Sequence, residues 1–222
     1  MRQSKVHKIS EYLLGWFSIH GRQFPWRQTR NPYSILLAEK LLQQTSVRPG
    51  LVQAYQELLS LYPTPMALAA ADLDEVSTII QSLGLRYRAQ ELITLAQAIC
   101  EEHDGCVPQN FKSLMALPGI GDYTSRAILC FAFNQDVPIV DTNVARILYR
   151  VFGLPGPMPA NPARKRSLIE LAGSLIPSGR ARDFNLAMLD LGALVCKSSN
   201  PKCQICPLLT VCEFGSTVVN EN

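Results

Sequence analysis

The sequence predicts an all-α fold, and three observations lead to that prediction. Apolar residues recur at spacings of three and four along most of the 222-residue chain. No stretch shows the strict alternation of apolar and polar residues that marks a half-buried strand. Pro, Gly, Asn and Asp interrupt the periodic stretches at short intervals. We therefore expect about ten helices joined by loops.

The first two predicted helices are separated by a proline-rich break. Residues 5–20 place their apolar side chains on one stripe, which is typical of a helix packed against a core. Asn31-Pro32 is a second break, and residues 33–44 after it form a strongly apolar helical stretch. That helix is expected to end before Pro49-Gly50.

The later predicted helices lie on both sides of one glycine-rich turn. Pro118-Gly119-Ile120-Gly121 is too tight to be helical, although helical patterns flank it. Before it, the apolar spacing predicts helices over residues 51–62, 74–82, 86–103 and 111–116. After it, the spacing predicts helices over residues 124–133, 143–152, 164–175 and 183–195, with a Pro- and Gly-rich loop at 153–163.

Composition excludes several classes of protein. No apolar run approaches the roughly 20 residues that cross a bilayer, and the N-terminal residues lack the core of a signal peptide. We therefore expect a cytoplasmic protein with no membrane partner. The net charge of +3 permits a nucleic-acid partner without establishing one. Seven cysteines, an odd number, argue for thiolate chemistry rather than a disulfide framework.

Breaks in composition near residues 27 and 135 predict two helical lobes. One lobe comprises residues 28–135 and contains the glycine-rich turn. The other comprises residues 1–27 together with 136–195, and a cysteine loop follows at 196–212. The residues after Cys212 look dispensable for the fold.

The cysteine loop carries the strongest chemical signal. Four thiols lie within 17 residues in a Pro-punctuated segment, at Cys196, Cys203, Cys206 and Cys212. Structural zinc sites usually present two Cys-x2-Cys pairs, whereas only Cys203 and Cys206 form such a pair here. The uneven spacing favours a 4Fe-4S cluster over a zinc ion, and over a set of buried free thiols.

The turn at Gly119 and Gly121 is the second signal. Two glycines allow the backbone to turn sharply and expose consecutive amide N–H groups, and the next helix adds its positive N-terminal end. This arrangement binds phosphate without reading base sequence. An inert helix–helix turn is the alternative. Asp122 would repel a phosphate, and we expect it to be a cap or a first-turn anion of that helix.

Two carboxylates stand out by their surroundings. Helical geometry places Glu39 on an apolar face between Ile35 and Leu42, where burial would raise the pKa of its carboxyl as a general acid requires. Pairing with a core arginine is the alternative. Asp141 precedes a helix with an apolar stripe, so its position predicts an N-cap. The same aspartate can also be functional, because backbone N–H groups would keep it ionised.

In combination these features resemble the iron–sulfur branch of the helix-hairpin-helix DNA glycosylase superfamily. The resemblance runs from about Gly21 to Cys212. Its motifs are Phe24-Pro25-Trp26-Arg27, Glu39-Lys40-Leu41-Leu42-Gln43-Gln44-Thr45, Leu117 to Thr124, Val140-Asp141-Thr142-Asn143, Arg182-Asp183-Phe184-Asn185 and the four-cysteine loop. The family fold has two helical lobes with a DNA-binding cleft, in agreement with the all-α prediction.

The resemblance implies an enzyme that flips a nucleotide out of duplex DNA and hydrolyses the bond between base and sugar. Asp141 matches the catalytic aspartate, whose charge would stabilise an oxocarbenium-like sugar or help activate water. Glu39 matches the acid that protonates the departing base. Asn143 would hold the aspartate and the sugar, and Gln43 or Gln44 would probe the gap left in the stack.

The resemblance also assigns a reaction subtype. Bifunctional members carry a lysine at the position of Tyr123, and its amine forms a Schiff base with the sugar. A phenol cannot form that adduct, so we expect a monofunctional enzyme without strong AP-lyase activity. Tyr123 and several motifs look most like thymine mismatch glycosylases, which remove thymine or uracil opposite guanine. The run at Leu42-Gln43-Gln44-Thr45 looks more like adenine glycosylases, which act opposite guanine or oxidised guanine.

The partner implied is double-stranded DNA containing a mismatch, bound by a monomer. Lys197 and Lys202 flank cluster cysteines and are the cations we expect to contact phosphate, because the cluster would fix their loop. Two other classes of protein compete with the enzyme. One is a helix-hairpin-helix module that binds DNA without catalysis, and the other is an electron carrier that uses the cluster.

Overall fold

The computed structural model describes residues 2–43, 49–83 and 87–220. Every regular element in these residues is helical, so the all-α prediction is confirmed for them. The α-helices are α1 Arg2–His20, α2 Pro32–Leu42, α3 Pro49–Leu61, α4 Pro65–Ala69, α5 Leu73–Ile80, α6 Arg88–His103, α7 Phe111–Ala116, α8 Asp122–Phe131, α9 Thr142–Phe152, α10 Arg166–Ser174, α11 Ala181–Leu194 and α12 Glu213–Asn220.

The chain forms two compact units. The terminal unit comprises residues 1–22 and 134–222, and the central unit comprises residues 23–133. The boundaries expected from composition, near residues 27 and 135, lie close to these. The cysteine loop, expected as a separate segment at 196–212, belongs to the terminal unit.

Side-chain caps set the starts of several helices. Asn31 accepts a hydrogen bond from the Ser34 amide at 3.0 Å, and Pro32 follows as the first residue of α2. Asn110 accepts from the Ser113 amide at 2.8 Å and begins α7 in the same way. These short polar residues satisfy amides that have no partner within the helix. They fix where the elements that carry the site begin.

Helices α2 to α8 surround the core of the central unit. Along them, leucine and isoleucine side chains at helical spacing are almost fully buried. Examples are Leu41, Leu51, Leu58, Ile80, Ile99, Leu114 and Ile128. Helix α2 is buried nearly all round, from Tyr33 to Leu41. It therefore holds its polar residues inside the core.

The terminal unit has its own core, formed mainly by α1, α9, α10 and α11. Its buried residues include Ile9, Leu13, Val144, Leu148, Phe184 and Leu191. An ion pair between half-buried Arg22 and buried Asp190 fixes the end of the segment after α1: Arg22 Nε lies 2.7 Å from Asp190 Oδ1, and the Arg22 amide donates to Oδ2 at 2.8 Å. Because Asp190 on α11 is fully buried, this pairing is needed to compensate its desolvation.

Two helices were missed by the sequence prediction. Helix α4 is short, with Thr64 as its cap and Pro65 as its first residue, so it contains too few residues to show a period. Helix α12 corrects the expectation that the residues after Cys212 are dispensable. Phe214 on α12 lies beneath the Arg150 guanidinium, 4.8 Å from its ring centroid, and Gly215 is buried. This segment packs on α9 and the cysteine loop.

Among the described residues, none of the helices combines the length and the apolar character that a bilayer crossing needs.

Candidate active site and cysteine loop

The glycine-rich turn has the geometry of a type II turn. The Ile120 amide donates to the Leu117 carbonyl at 3.2 Å, Pro118 is the second residue and Gly119 the third. Gly119 has φ +70°, which the third position of this turn requires and which side chains disfavour. Helix α8 begins directly afterwards with Gly121 as its N-cap. The sequence prediction of a tight turn entering a helix is therefore confirmed.

A buried lysine lies behind this turn. Lys40 on α2 has 1% of its surface exposed, and its Nζ lies 3.3 Å from the Gly119 carbonyl oxygen. The same ammonium lies 3.2 Å from Gln43 Oε1 and 3.4 Å from Glu91 Oε2. Burial lowers the pKa of Lys40, and Arg88 lowers it further, whereas Glu91 acts in the opposite direction.

Gln43 contacts the hairpin as well. Its Nε2 donates to the Gly119 carbonyl oxygen at 3.3 Å and to Thr124 Oγ1 at 3.3 Å. Thr124 is in the first turn of α8. The second glutamine of the motif, Gln44, lies outside the described residues.

The other candidates of the central unit lie on α2 and α8. Glu39 is 6% exposed on α2, as expected for an acid on an apolar helix face. Tyr123 is half-buried at the second position of α8. Asp122 is the first residue of α8 and thus a first-turn anion, one of the two roles expected for it.

Asp141 of the terminal unit is held by two hydrogen bonds. Its Oδ1 accepts from the Val144 amide at 2.7 Å, which makes it the N-cap of α9 as its position predicted. Its Oδ2 accepts from Asn143 Nδ2 at 2.8 Å. Both oxygens therefore have a fixed donor, and the carboxylate is half-buried rather than enclosed.

Asn143 is fixed in turn by Arg146, a residue the sequence analysis did not single out. Arg146 Nη2 donates to Asn143 Oδ1 at 2.9 Å and to the Gly192 carbonyl at 3.1 Å, while Nε donates to the Cys196 carbonyl at 2.9 Å. A chain of hydrogen bonds thus runs from Asp141 to the backbone of the cysteine loop. The spacing of Asn143 and Arg146 on one helix face was a signal for their pairing.

Two more residues support this segment. Gly192 on α11 approaches so closely that a Cβ there would lie 2.7 Å from Asn143 Cβ. Asn185, also on α11, accepts from the Ile139 amide at 3.0 Å and donates to the Val137 carbonyl at 2.9 Å. Asn185 therefore secures the chain that leads into Asp141. Its motif, Arg182-Asp183-Phe184-Asn185, is part of the family resemblance, but the sequence pattern alone indicated no role for Asn185.

The four thiols of the cysteine loop line one pocket. Its walls also include Arg150, Val195, Leu209 and Phe214. Across the described residues, no group of three or more His, Cys, Asp or Glu side chains is arranged to hold a single metal ion.

Arg150 holds the loop around this pocket. Its Nη1 donates to the Lys197 carbonyl at 2.6 Å and lies 3.4 Å from Cys196 Sγ, and Nη2 donates to the Ser198 carbonyl at 3.0 Å. The Gly215 amide donates to Cys212 Sγ at 3.3 Å. These donors favour negative charge on sulfur.

Burial is the largest influence on the pKa of Cys203, Cys206 and Cys212, and it raises each of them. The pKa of Cys206 is raised to about 11, mainly by burial and also by the neighbouring thiols Cys196, Cys212 and Cys203, whereas a backbone hydrogen bond from Leu208 lowers it. Their mutual influence shows that the four sulfurs are near neighbours. Lys197 and Lys202 are both exposed on this loop.

Comparison with known proteins identifies the family. Residues 37–170 match the HhH-GPD superfamily of base excision DNA repair proteins. This segment contains the C-terminal half of α2, the hairpin turn, Asp141 and Arg146. The chain belongs to that superfamily. Its predicted resemblance to helix-hairpin-helix glycosylases is confirmed.

Similar proteins cover nearly the whole chain. A thymine/uracil-DNA glycosylase of Methanothermobacter thermautotrophicus is 34% identical over 91% of this chain and 90% of its own length. An adenine DNA glycosylase of Mycolicibacterium smegmatis is 40% identical over 88% of this chain and 66% of its own length. The solved structure of a thermostable thymine-DNA glycosylase superposes with a TM-score of 0.90 at 33% identity, covering 97% of this chain and 99% of that one.

With relatives of this kind over most of its length, the chain is a DNA glycosylase, an enzyme that hydrolyses N-glycosyl bonds. Its partner is DNA. The chain is therefore neither of the competing classes, a non-catalytic binding module or an electron carrier.

Proposed function

We propose that this glycosylase is monofunctional and removes thymine or uracil opposite guanine from mismatched duplex DNA, acting as a monomer. The observation that carries the proposal is the Asp141 carboxylate, whose two oxygens accept hydrogen bonds from Asn143 Nδ2 and the Val144 amide. The second residue of the hairpin helix α8 is a phenol, Tyr123, rather than a lysine. The choice of base is supported by similarity to a thymine/uracil-DNA glycosylase and to the fold of a thymine-DNA glycosylase.

Asp141 acts on the sugar. As the bond between base and C1′ breaks, positive charge develops on the ring, and an ionised carboxylate stabilises it or orients the attacking water. The Val144 amide and the Asn143 amide group hold both oxygens, so little reorganisation accompanies the reaction. Water adds its oxygen to C1′, the bonding electrons leave with the base, and an abasic site remains.

Glu39 acts on the base. It lies almost fully buried on the apolar helix α2, and we assign it the role of donating a proton to the departing base. The flipped nucleotide is held from the backbone side, where the hairpin at Gly119 and Gly121 binds phosphate through its amides and the N-terminus of α8. A mismatch lowers the cost of flipping and so contributes to selectivity.

The absence of an amine at the hairpin helix supports hydrolysis without strand cleavage. Tyr123 cannot form a Schiff base. The central unit contains two lysines in its sequence, Lys40 and Lys112. Lys40 is buried and donates to the Gly119 carbonyl, Gln43 and Glu91, so its nitrogen is unsuited to attack a sugar. Lys112 is exposed on α7, outside the hairpin helix.

We further propose that Cys196, Cys203, Cys206 and Cys212 hold a 4Fe-4S cluster. They line one pocket, and their uneven spacing in the chain, with a single Cys-x2-Cys pair, favours a cluster over a zinc ion. Four cysteines complete the ligand set of such a cluster, so its contribution is structural. It would fix the loop that presents Lys197 and Lys202 to phosphate.

The test is base release from four duplexes that differ in one pair: T·G, U·G, A·G and A opposite oxidised guanine. We expect release from T·G and U·G, with strand breaks only after hot alkali, because the product is an abasic site. Borohydride should trap no covalent adduct.

Base release from the two adenine duplexes alone would contradict the proposed substrate and indicate that adenine is the excised base. The Gln43-Gln44 run resembles the corresponding run of adenine glycosylases. Efficient nicking together with a trapped adduct would contradict the monofunctional assignment. Iron and sulfide analysis of the purified protein, with the four-cysteine loop intact, tests the proposed cluster. Zinc in place of iron would overturn the cluster assignment and leave the proposed excision untouched.

A further inference from the structure

We propose that Lys40 and Gln43 are positioning residues that hold the hairpin turn at Gly119 in its phosphate-binding conformation. The inference rests on the proposed phosphate-binding role of that turn. It gives Gln43 a role inside the protein in place of the DNA-probing role expected from the sequence.

The contacts converge on one backbone oxygen. Lys40 Nζ and Gln43 Nε2 each lie 3.3 Å from the Gly119 carbonyl oxygen. The two side chains also contact each other, at 3.2 Å between Lys40 Nζ and Gln43 Oε1. Both belong to the C-terminal end of α2. The C-terminal end of one helix therefore hydrogen-bonds the turn through an ammonium group and an amide group.

The peptide group between Gly119 and Ile120 is hydrogen-bonded at both its oxygen and its N–H. The Gly119 carbonyl and the Ile120 amide belong to the same planar peptide group. Its N–H donates to the Leu117 carbonyl at 3.2 Å, and its oxygen is held by Lys40 and Gln43. With both ends bound, this peptide cannot rotate. The amides that follow, at Gly121 and the start of α8, keep their direction.

Gln43 also hydrogen-bonds helix α8. Its Nε2 also donates to Thr124 Oγ1 at 3.3 Å, and Thr124 is buried in the first turn of α8. The N-terminus of α8 is the positive end that attracts phosphate. The turn and the helix start are thus fixed to the same element, α2.

A lysine is an unusual choice for this position, because burying an ammonium is costly. Glu91, 3.4 Å from Nζ, offsets part of that cost. A methionine of similar volume would fill the same space without any desolvation of charge. What methionine lacks is the donor to the Gly119 carbonyl. The function of Lys40 is therefore expected to lie in the hydrogen bond rather than in packing.

The experiment measures affinity and chemistry separately in Lys40→Met and Gln43→Met. Equilibrium binding is measured to a T·G duplex and to the fully paired duplex of the same sequence, and base release is measured in single turnover with saturating enzyme. For Lys40→Met we expect Kd to rise about tenfold for both duplexes, in line with one lost hydrogen bond. The saturating rate should change far less, because a methionine of similar volume keeps α2 and its Glu39 in place and Asp141 lies in the other unit.

Lys8→Met is the matched control, since it removes one lysine charge from an exposed position on α1. Its affinity should stay close to that of the unaltered protein. Amide NMR shifts of Gly119 and Gly121 in the free protein supply a readout independent of DNA. They should move in Lys40→Met and stay unchanged in Lys8→Met.

Unchanged Kd with a reduced saturating rate in Lys40→Met would overturn the inference, because Lys40 would then only support the helix that carries Glu39. Should Lys40→Met fail to fold, Gln43→Met tests the same carbonyl from a half-buried side chain. Weaker binding of both duplexes by the variants, with no base release by the unaltered protein, would overturn the proposed excision and leave this inference standing. Normal base release by the unaltered protein, together with unchanged binding by both variants, would overturn this inference and leave the proposed excision standing.

Discussion

Each unit has a cationic side chain that hydrogen-bonds a candidate functional segment, and the two side chains differ in the geometry of these hydrogen bonds. Arg146 of the terminal unit donates to Asn143 Oδ1, the Gly192 carbonyl and the Cys196 carbonyl at 2.9, 3.1 and 2.9 Å. Lys40 of the central unit has three partners at 3.2 to 3.4 Å. The guanidinium contacts are shorter.

The difference follows from the two side chains. A planar guanidinium fixes the direction of each donor, whereas an ammonium rotates and fixes only a position. Direction matters for Asn143, whose amide group must present its NH2 to Asp141 and its oxygen to Arg146. Position suffices for a backbone carbonyl. Loss of Arg146 should therefore affect chemistry, and loss of Lys40 should affect binding.

The largest effect we expect among these supporting residues is that of Arg146→Lys. The charge remains, but the fork that reaches Asn143, Gly192 and Cys196 together is lost. Asn143 then loses its orientation and Asp141 one of its donors. Small displacements of a catalytic group can cost about 100-fold in rate, and we expect a loss of that order in single-turnover base release.

Arg150→Lys is the control for that prediction. Arg150 also holds the cysteine loop, through the Lys197 and Ser198 carbonyls, but it has no contact with Asn143. The rate of base release per enzyme molecule should fall much less than in Arg146→Lys. Equal losses in the two variants would show that both act through the loop and not through Asn143.

Gly192→Ala should produce a smaller loss of rate. The added Cβ would lie 2.7 Å from Asn143 Cβ, so one of the two helices must shift. Overpacking of this kind typically costs about 1–3 kcal/mol. We expect base release to slow about tenfold, which corresponds to 1.4 kcal/mol, with duplex affinity nearly unchanged. Gly173→Ala on α10 is the control, because its Cβ would meet Pro138 at an ordinary 3.6 Å.

The smallest effect concerns stability and pH in the central unit. Burial lowers the pKa of Lys40, so between that lowered pKa and about 10.4 the unfolded chain binds more protons than the folded one. The contribution of this group to stability therefore increases as pH rises through that range. Urea unfolding at several pH values should show the unaltered protein gaining stability relative to Lys40→Met.

Lys8→Met should show no such trend relative to the unaltered protein, because Lys8 is exposed. A stability difference between the unaltered protein and Lys40→Met that stays constant with pH would contradict a strained buried ammonium.

The sequence predicted what depends on local pattern. Helix α9 and its cap could be foreseen, because an aspartate precedes an apolar stripe of period 3.6. The hairpin turn could be foreseen from its two glycines. The four cysteines could be grouped because they are near neighbours in the chain. Each of these signals lies within one short segment.

The sequence could not reveal partners that come together only through packing. Lys40 and Glu91 are 51 residues apart, and nothing near Lys40 marks it as a partner of the hairpin. Arg146 contacts a carbonyl 50 residues away. The resemblance implied that Gln43 or Gln44 probes the DNA stack, and nothing in the local sequence indicated that the Gln43 amide lies against Gly119 and Thr124. Helix α12 was missed because its residues gain a core only when Arg150 and the cysteine loop are in place.

The measurement that tests the account most directly is single-turnover base release by Asp141→Asn beside its affinity for the same T·G duplex. Asparagine is as good an N-cap as aspartate, so α9 should remain intact while the negative charge is lost. We expect base release to fall about 1000-fold and Kd to stay within a few-fold of the unaltered value. Base release at the original rate would contradict the central role given to Asp141.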